Sequence, residues 1–192
     1  MRVIDSTKIE RIKTETKILI VEKGYHGASI AEIAKRANVS DGYLYRHYKN
    51  KSDLVKDILE TQLKQFHDYI FSLLDDKKSV SEIVEGIVLF LFNLTEEEPH
   101  ALTFAHMLVY DHDFEYPKSR HEAINKLSEQ ILIFGKSTGE FGQEIREIDV
   151  LLTILTIPVK FIEYSKKGYH YDTLIDAEEQ KRLVNLCMKA LK

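Results

Sequence analysis

Residues 29–48 read Ser29-Ile30-Ala31-Glu32-Ile33-Ala34-Lys35-Arg36-Ala37-Asn38-Val39-Ser40-Asp41-Gly42-Tyr43-Leu44-Tyr45-Arg46-His47-Tyr48, and this stretch decides the fold. Ser29 and Glu32 have capping-box spacing, in which the serine oxygen and the glutamate each satisfy a backbone N–H left unpaired at a helix start. Ile30, Ile33, Ala34 and Ala37 then form one apolar side. Asn38 tolerates the left-handed backbone that a tight turn needs. Ser40 is a good N-cap, so a second short helix is predicted over 40–48. Two helices of about eight residues joined by a tight turn make a helix-turn-helix. Small and branched groups at Ile33, Ala34, Ala37, Val39 and Leu44 let the two approach closely where they cross.

Working outward, a helix is predicted over 6–23. Thr7 and Glu10 have capping spacing, Ile9, Ile12, Thr16, Leu19 and Ile20 share a face, and Gly24 supplies the stop. After the motif, a helix from 50–52 to 74 carries a stripe of Leu54, Ile58, Leu63, Phe66, Ile70 and Leu73/Leu74. At 1.5 Å per residue it is a rod of roughly 35 Å. Ser79 and Glu82 form another capping box, and 83–94 is apolar on nearly every side, as in a central buried helix. Further helices are predicted over 99–110 with Pro99 in the first turn, from Pro117 to about 136, and over 147–167. The last of these should kink at Pro158 and stop at Gly168, before the loop Tyr169-His170-Tyr171. Asp176 and Glu179 cap a final helix carrying Leu183, Val184, Leu186, Cys187, Ala190 and Leu191. With three prolines and eight glycines, the turn punctuation of a β-protein is missing. The fold class is therefore all-α, with about nine helices. A three-helix helix-turn-helix head occupies 1–51, and a helical bundle occupies 52–192.

The 192 residues are 44% hydrophobic and 30% charged, an ordinary soluble composition. Cys187 is the single cysteine, which excludes an internal disulfide and a cysteine metal site. The first residues lack a signal-peptide core, and no apolar run approaches the roughly 18 residues of a membrane span. A cytoplasmic location and no membrane partner are expected. The net charge of −4 is unevenly spread: residues 1–57 hold twelve cations and eight anions, a balance of +4, which leaves −8 on the remainder. A basic head on an acidic body suits nucleic acid.

Several residues of the head suggest a DNA contact, each with a plainer reading beside it. Ser29 and Ser40 cap helices, and helix N-termini also present N–H groups to phosphate. Gly42 in a helix costs roughly 1 kcal/mol against alanine. Either close approach to DNA or packing against a neighbouring helix would explain it. Tyr43 and Tyr45 cannot share a face, and Leu44 takes the core side. Both tyrosines should then be largely exposed, in a groove or at a seam between head and body. Arg46 reaches a guanine, a phosphate or a carboxylate.

Two stretches, 22–34 and 39–54, closely resemble the DNA-binding head of TetR-family regulators. The glycines, caps, aromatics and the Lys49-Asn50-Lys51 exit all fall in order. The resemblance covers about residues 6–66. It implies a homodimer with two recognition helices in successive major grooves of double-stranded operator DNA, and a body that binds a small molecule of unknown identity and lowers DNA affinity. It also implies that His47 and Lys51 grip the phosphate backbone, with Lys49 beside them. Two-fold symmetry predicts a palindromic operator. Repression is adopted as the family habit. Two positions depart from the pattern. Asp41 stands where many members carry Lys, Arg or Gln; it either accepts from a cytosine amino group or serves only the helix start. Ala31 replaces a long base-reading side chain.

In the body, the 147–167 helix is apolar on two sides. Leu151, Leu155 and Ile162, with Leu183, Leu186 and Ala190 of the last helix, form the candidate dimer interface. Phe90, Asn93, His100, Phe104, Met107, Tyr110, Phe134 and Phe161 are the candidate ligand-binding residues, although such residues also build ordinary cores. An enzyme is not expected, nor a cofactor or metal. His100, His106, Asp111, His112, Asp113 and His121 are the densest polar cluster, but no metal-ligand spacing occurs there. The alternative function is a helical protein-interaction module whose head does not bind DNA, with Asp41 its best support.

Overall fold

A computed structural model describes residues 6–76, 79–115, 118–166 and 176–192. It is all-helical among those residues. The elements are α1 Ser6–Gly27, α2 Ile30–Arg36, α3 Asp41–Tyr45, α4 Lys51–Asp75, α5 Val80–Glu97, α6 Ala101–Val109, α7 Lys118–Ser137, α8 Glu147–Leu151, a π-helical segment Leu152–Thr156, α9 Ile157–Lys166 and α10 Ala177–Ala190. The readings at Pro117, Gly168 and the 169–171 loop lie outside the described residues. The chain divides into two compact units, 1–64 with 98–116, and 65–97 with 117–192.

In the first unit, α1 begins at Ser6, so Thr7 lies inside its first turn rather than capping it. Gly24 breaks the helix with φ 75° and ψ 168°, a backbone that an L side chain resists. Ile12, Thr16, Leu19 and Ile20 are buried along α1, the expected face, and Ile9 packs against it half-buried. They meet Ile33, Ala34 and Ala37 of the α2 region, Leu44 of α3 and Leu54, Val55, Ile58 and Leu59 of α4. Asn50 Oδ1 caps α4 by accepting from Asp53 N at 2.9 Å. The periodicity gave no sign that α6 completes this core. Phe104 and Leu108 are buried among the same residues, and Phe114 follows them in. Lys17 of α1 pairs with Glu98 just before α6.

In the second unit, Ser79 and Glu82 form the expected capping box: Glu82 N donates to Ser79 Oγ at 3.2 Å, and Ser79 N donates to Glu82 Oε2 at 2.9 Å. Helix α5 buries Ile83, Val84, Ile87, Val88, Leu91 and Phe92 but not every side, since Leu89 is exposed and Phe90 and Leu94 are half-buried. Gly86 lets the end of α4 in close, since a Cβ there would stand 2.5 Å from Leu73 Cδ1. The 147–166 stretch stays helical through Pro158, and a π turn over Leu152–Thr156 precedes the proline. Proline lacks an N–H and crowds the preceding turn, and the wider i→i+5 winding absorbs both. Helix α10 starts at Asp176, whose carboxylate accepts from Glu178 N and Glu179 N. Glu179 itself pairs with Arg182 at 2.8 Å. The Cys187 Sγ donates to Thr153 O at 3.2 Å, and burial pushes the thiol up to about 11. No described helix is long and apolar enough to cross a membrane.

Candidate nucleic-acid interface

Two serines and one asparagine set the motif. Ser29 is extended (φ −114°, ψ 152°), and its Oγ accepts from Glu32 N at 3.2 Å. Only this half of the expected box forms, because the Glu32 carboxylate pairs with Lys23 Nζ at 2.6 Å. Asn38 turns the chain with φ 52°. Ser40 is again extended, and its Oγ accepts from Tyr43 N at 3.2 Å. The turn is pinned to α1 by Arg11 Nε, which donates to Ala37 O at 2.5 Å. Arg36 pairs with Glu22 at 2.6 Å, and that hydrogen bond holds the Glu22 carboxyl below its ordinary range.

Leu44 is fully buried in the head core, so the opposite side of α3 faces out. Asp41, Gly42, Tyr45, Arg46 and His47 are exposed there, and Lys49 follows them. Tyr45 is 56% exposed. A Cβ built at Gly42 would meet no heavy atom within 4 Å. Packing against another helix therefore does not explain the glycine. Neither Arg46 nor Lys49 has an ion-pair partner among the described residues, so both charges are free to act outward.

Two residues behave otherwise than the sequence suggests. Tyr43 is half-buried rather than exposed, because one turn of helix brings its ring back over the head core. Its ring centroid lies 4.9 Å from that of His47, with Arg46 at 5.2 Å and Lys8 at 5.8 Å from the ring. Its buried hydroxyl has no hydrogen-bond partner among the described residues. Lys51 turns inward: Nζ donates to Tyr25 O at 2.5 Å and Ala28 O at 2.8 Å, and sits 4.3 Å from the Tyr25 ring centroid. This ammonium closes the bend after Gly24, and its burial lowers its pKa. Tyr48 reaches α4, where its hydroxyl donates to Asp57 Oδ2 at 2.8 Å. The same oxygen pairs with Lys13 Nζ at 2.9 Å.

The residues singled out for a ligand fall into both units. His100, Phe104, Met107 and Tyr110 belong to the first, where Phe104 is a core residue. Phe90, Asn93, Phe134 and Phe161 belong to the second. There the ring centroid of Phe90 lies 5.4 Å from that of Phe66 and 5.2 Å from that of Tyr69, and the Phe161 centroid 6.5 Å from that of Phe92. Of the residues singled out for a dimer face, Leu186 is 47% exposed and Ala190 is exposed, while Leu151 and Leu155 are half-buried. Ile162 and Leu183 are fully buried within the unit, so their apolar surface is satisfied inside one chain. Ile148 and Leu152, which the pattern did not single out, stand exposed on the same rod.

Residues 14–58 match the family of bacterial regulatory proteins, tetR family. The biofilm operon icaADBC HTH-type negative transcriptional regulator IcaR of Staphylococcus epidermidis is 31% identical over 78 residues, which is 41% of this chain and 42% of that protein. The chain thus matches less than half the length of that relative. A TetR family transcription regulator from Marinobacter aquaeolei VT8 shares the fold with a TM-score of 0.81 at 18% identity, over 100% of this chain and 98% of that one. The transcriptional regulator FadR from Bacillus subtilis, solved in complex with stearoyl-CoA, superposes with a TM-score of 0.72 at 20% identity, over 95% and 96% of the two chains. The capped helix-turn-helix and the family match agree over 14–58: this part of the chain is a helix-turn-helix domain of the tetR family of bacterial regulatory proteins, and the whole chain shares its fold with the solved regulators.

Proposed function

We propose that the protein is a homodimeric repressor that binds a palindromic operator through α2 and α3 and is released by a small, largely apolar ligand. One observation carries the DNA-binding part: Leu44 anchors α3 in the core while Gly42, Tyr45, Arg46, His47 and Lys49 are left open on its other side. Gly42 allows the helix to lie deep in a major groove. Tyr45 offers a ring to thymine methyls or sugars, and Arg46, His47 and Lys49 offer donors to phosphate or base edges. Ser29 and Ser40 fix the two helix starts. Lys51 supports this surface from behind by holding the bend at Tyr25–Ala28.

In this reading residues 1–51 carry DNA binding, and 52–192 carry effector binding and dimerisation. The segment 98–116 is the part of the latter that lies in the head's compact unit. Dimerisation uses the outward apolar groups of the 147–166 rod and α10, with Leu152 and Leu186 at its centre and Ala190 at its edge. The ligand sits among the aromatic residues of the second unit, of which Phe90 and Phe161 are the first to test. A fatty acyl group is the first ligand to try, by analogy with the stearoyl-CoA complex of FadR. Release is a population shift, because the ligand binds better to the state whose heads are wrongly spaced. The protein acts in the cytoplasm and performs no catalysis.

Selection from a random double-stranded DNA pool tests the reading, followed by fluorescence polarisation on the enriched sequence with and without ligand. Enrichment of a palindrome is expected. No enrichment at low salt would instead favour a protein-interaction module, the reading that the exposed Asp41 carboxylate supports. Ligands that bind the body without changing DNA affinity would overturn the sensing part alone.

A further inference from the structure

One histidine and two aspartates, far apart in sequence, converge at an edge of the first unit. His26 follows the Gly24 break in α1, and Asp111 and Asp113 lie just after α6. His26 Nε2 stands 3.3 Å from Asp113 Oδ2 and 3.9 Å from Asp111 Oδ1. One donor atom from each of the three lies within 4.8 Å of the others. Each side of the cluster is tied to apolar structure by its neighbour in the chain. Tyr25 packs edge-on against both His26, at 5.3 Å, and Phe114, at 5.1 Å between ring centroids. Phe114 is itself buried in the head core. The loop is further shaped by Asp113 N, which donates to Asp111 Oδ1 at 2.9 Å, and by Lys56, which pairs with Glu115 at 3.5 Å.

Two carboxylates and an imidazole gathered this closely leave a local set of donors that a dication can bind. Ligand atoms each about 2.1 Å from a tetrahedral ion stand about 3.4 Å from one another. The His26–Asp113 separation of 3.3 Å matches this, and the His26–Asp111 separation of 3.9 Å closes to it with a small side-chain rotation. A nitrogen donor beside two oxygens suits zinc and its transition-metal neighbours, whereas calcium and magnesium prefer all-oxygen shells. We propose that His26, Asp111 and Asp113 bind a divalent transition cation of the zinc type. Solvent completes the coordination, since His26 and Asp113 are exposed. The bound ion fastens the 111–115 loop to the end of α1, immediately before the helix-turn-helix. The sequence hides this site, because its ligands come from separate segments and share no motif. The half-buried Lys51 directs its hydrogen bonds to backbone carbonyls, and only its charge reaches Asp111.

The test is calorimetric titration of the full chain, stripped by a chelator, with zinc chloride, and in parallel with calcium and magnesium chloride. The visible absorption of Co2+ reports the coordination. His26→Ala and Asp113→Asn are the variants, with circular dichroism to confirm that each is folded. One zinc per chain is expected. Affinity should fall in both folded variants by no less than the about 10–100-fold that outer partners of metal ligands carry. Equal zinc binding by the variants and the parent would place the metal elsewhere and overturn the proposal, as would no binding or a preference for calcium. No DNA is present, so failure here leaves the operator-binding reading standing, and a failed DNA selection leaves this site standing.

Discussion

The hydroxyl of Tyr48, at the exit of the recognition helix, donates to the Asp57 carboxylate on α4 at 2.8 Å, and Lys13 of α1 holds the same oxygen. Helices α1 and α4 and the segment that follows α3 thus meet at one carboxylate. Burial first, and the Asp57 hydrogen bond and charge after it, raise the Tyr48 pKa well above its ordinary 10.0. A folded pKa above the unfolded one means that the contribution is complete below the unfolded value and is lost as pH rises through the folded one. Urea unfolding followed at increasing pH should show stability falling above about pH 10. Tyr48→Phe should cost about 1 kcal/mol at neutral pH and remove this part of the alkaline decline. A variant with the parent's alkaline profile would show that the hydrogen bond does not matter.

Gly42 separates folding from function. It sits in helical backbone with open space around it, so Gly42→Ala should leave the fold intact or stabilise it by up to about 1 kcal/mol. The added methyl would stand between α3 and the groove. Operator affinity should fall by about tenfold, or 1.4 kcal/mol. Thermal melting together with fluorescence polarisation checks both halves, and unchanged binding would remove Gly42 from the interface.

Lys49 and Lys51 are two residues apart and face opposite ways. Lys49→Ala should leave stability unchanged and reduce the slope of log affinity against log salt by about 1, the loss of one phosphate contact. Lys51→Ala should destabilise the head by about 2 kcal/mol, because the carbonyls of Tyr25 and Ala28 lose a charged donor. Salt-series binding and urea unfolding of both variants would expose an inverted assignment at once.

Leu152 and Leu186 are 48% and 47% exposed, and in the proposed dimer they face the partner. Leu152→Glu and Leu186→Glu should each leave a folded monomer by sedimentation and abolish high-affinity operator binding, because half-sites are then gripped one at a time. A dimer that survives both substitutions would place the interface on another face.

Short-range chemistry was legible from residue order. The Ser40 cap, the Asn38 turn, the Ser79–Glu82 box and the buried faces of α1 and α5 all follow from groups within four residues of each other. Where two local options competed, position alone gave no decision. Glu32 had the spacing of a capping box, yet Lys23 across the turn offered it a charge. Tyr43 was expected to face outward, but five residues of helix are too few to separate its ring from the core beneath.

What order along the chain fixed by itself was the helical class and the position of the helix-turn-helix, because helix periodicity and capping act over a turn or two. What folding in three dimensions alone decided was which distant groups meet. Phe104 fills the head core, Lys51 closes a bend more than twenty residues upstream, and His26 finds Asp111 and Asp113 across the unit. Such pairings are settled by the packing of whole helices, and no spacing in a linear sequence records the distance between two helices.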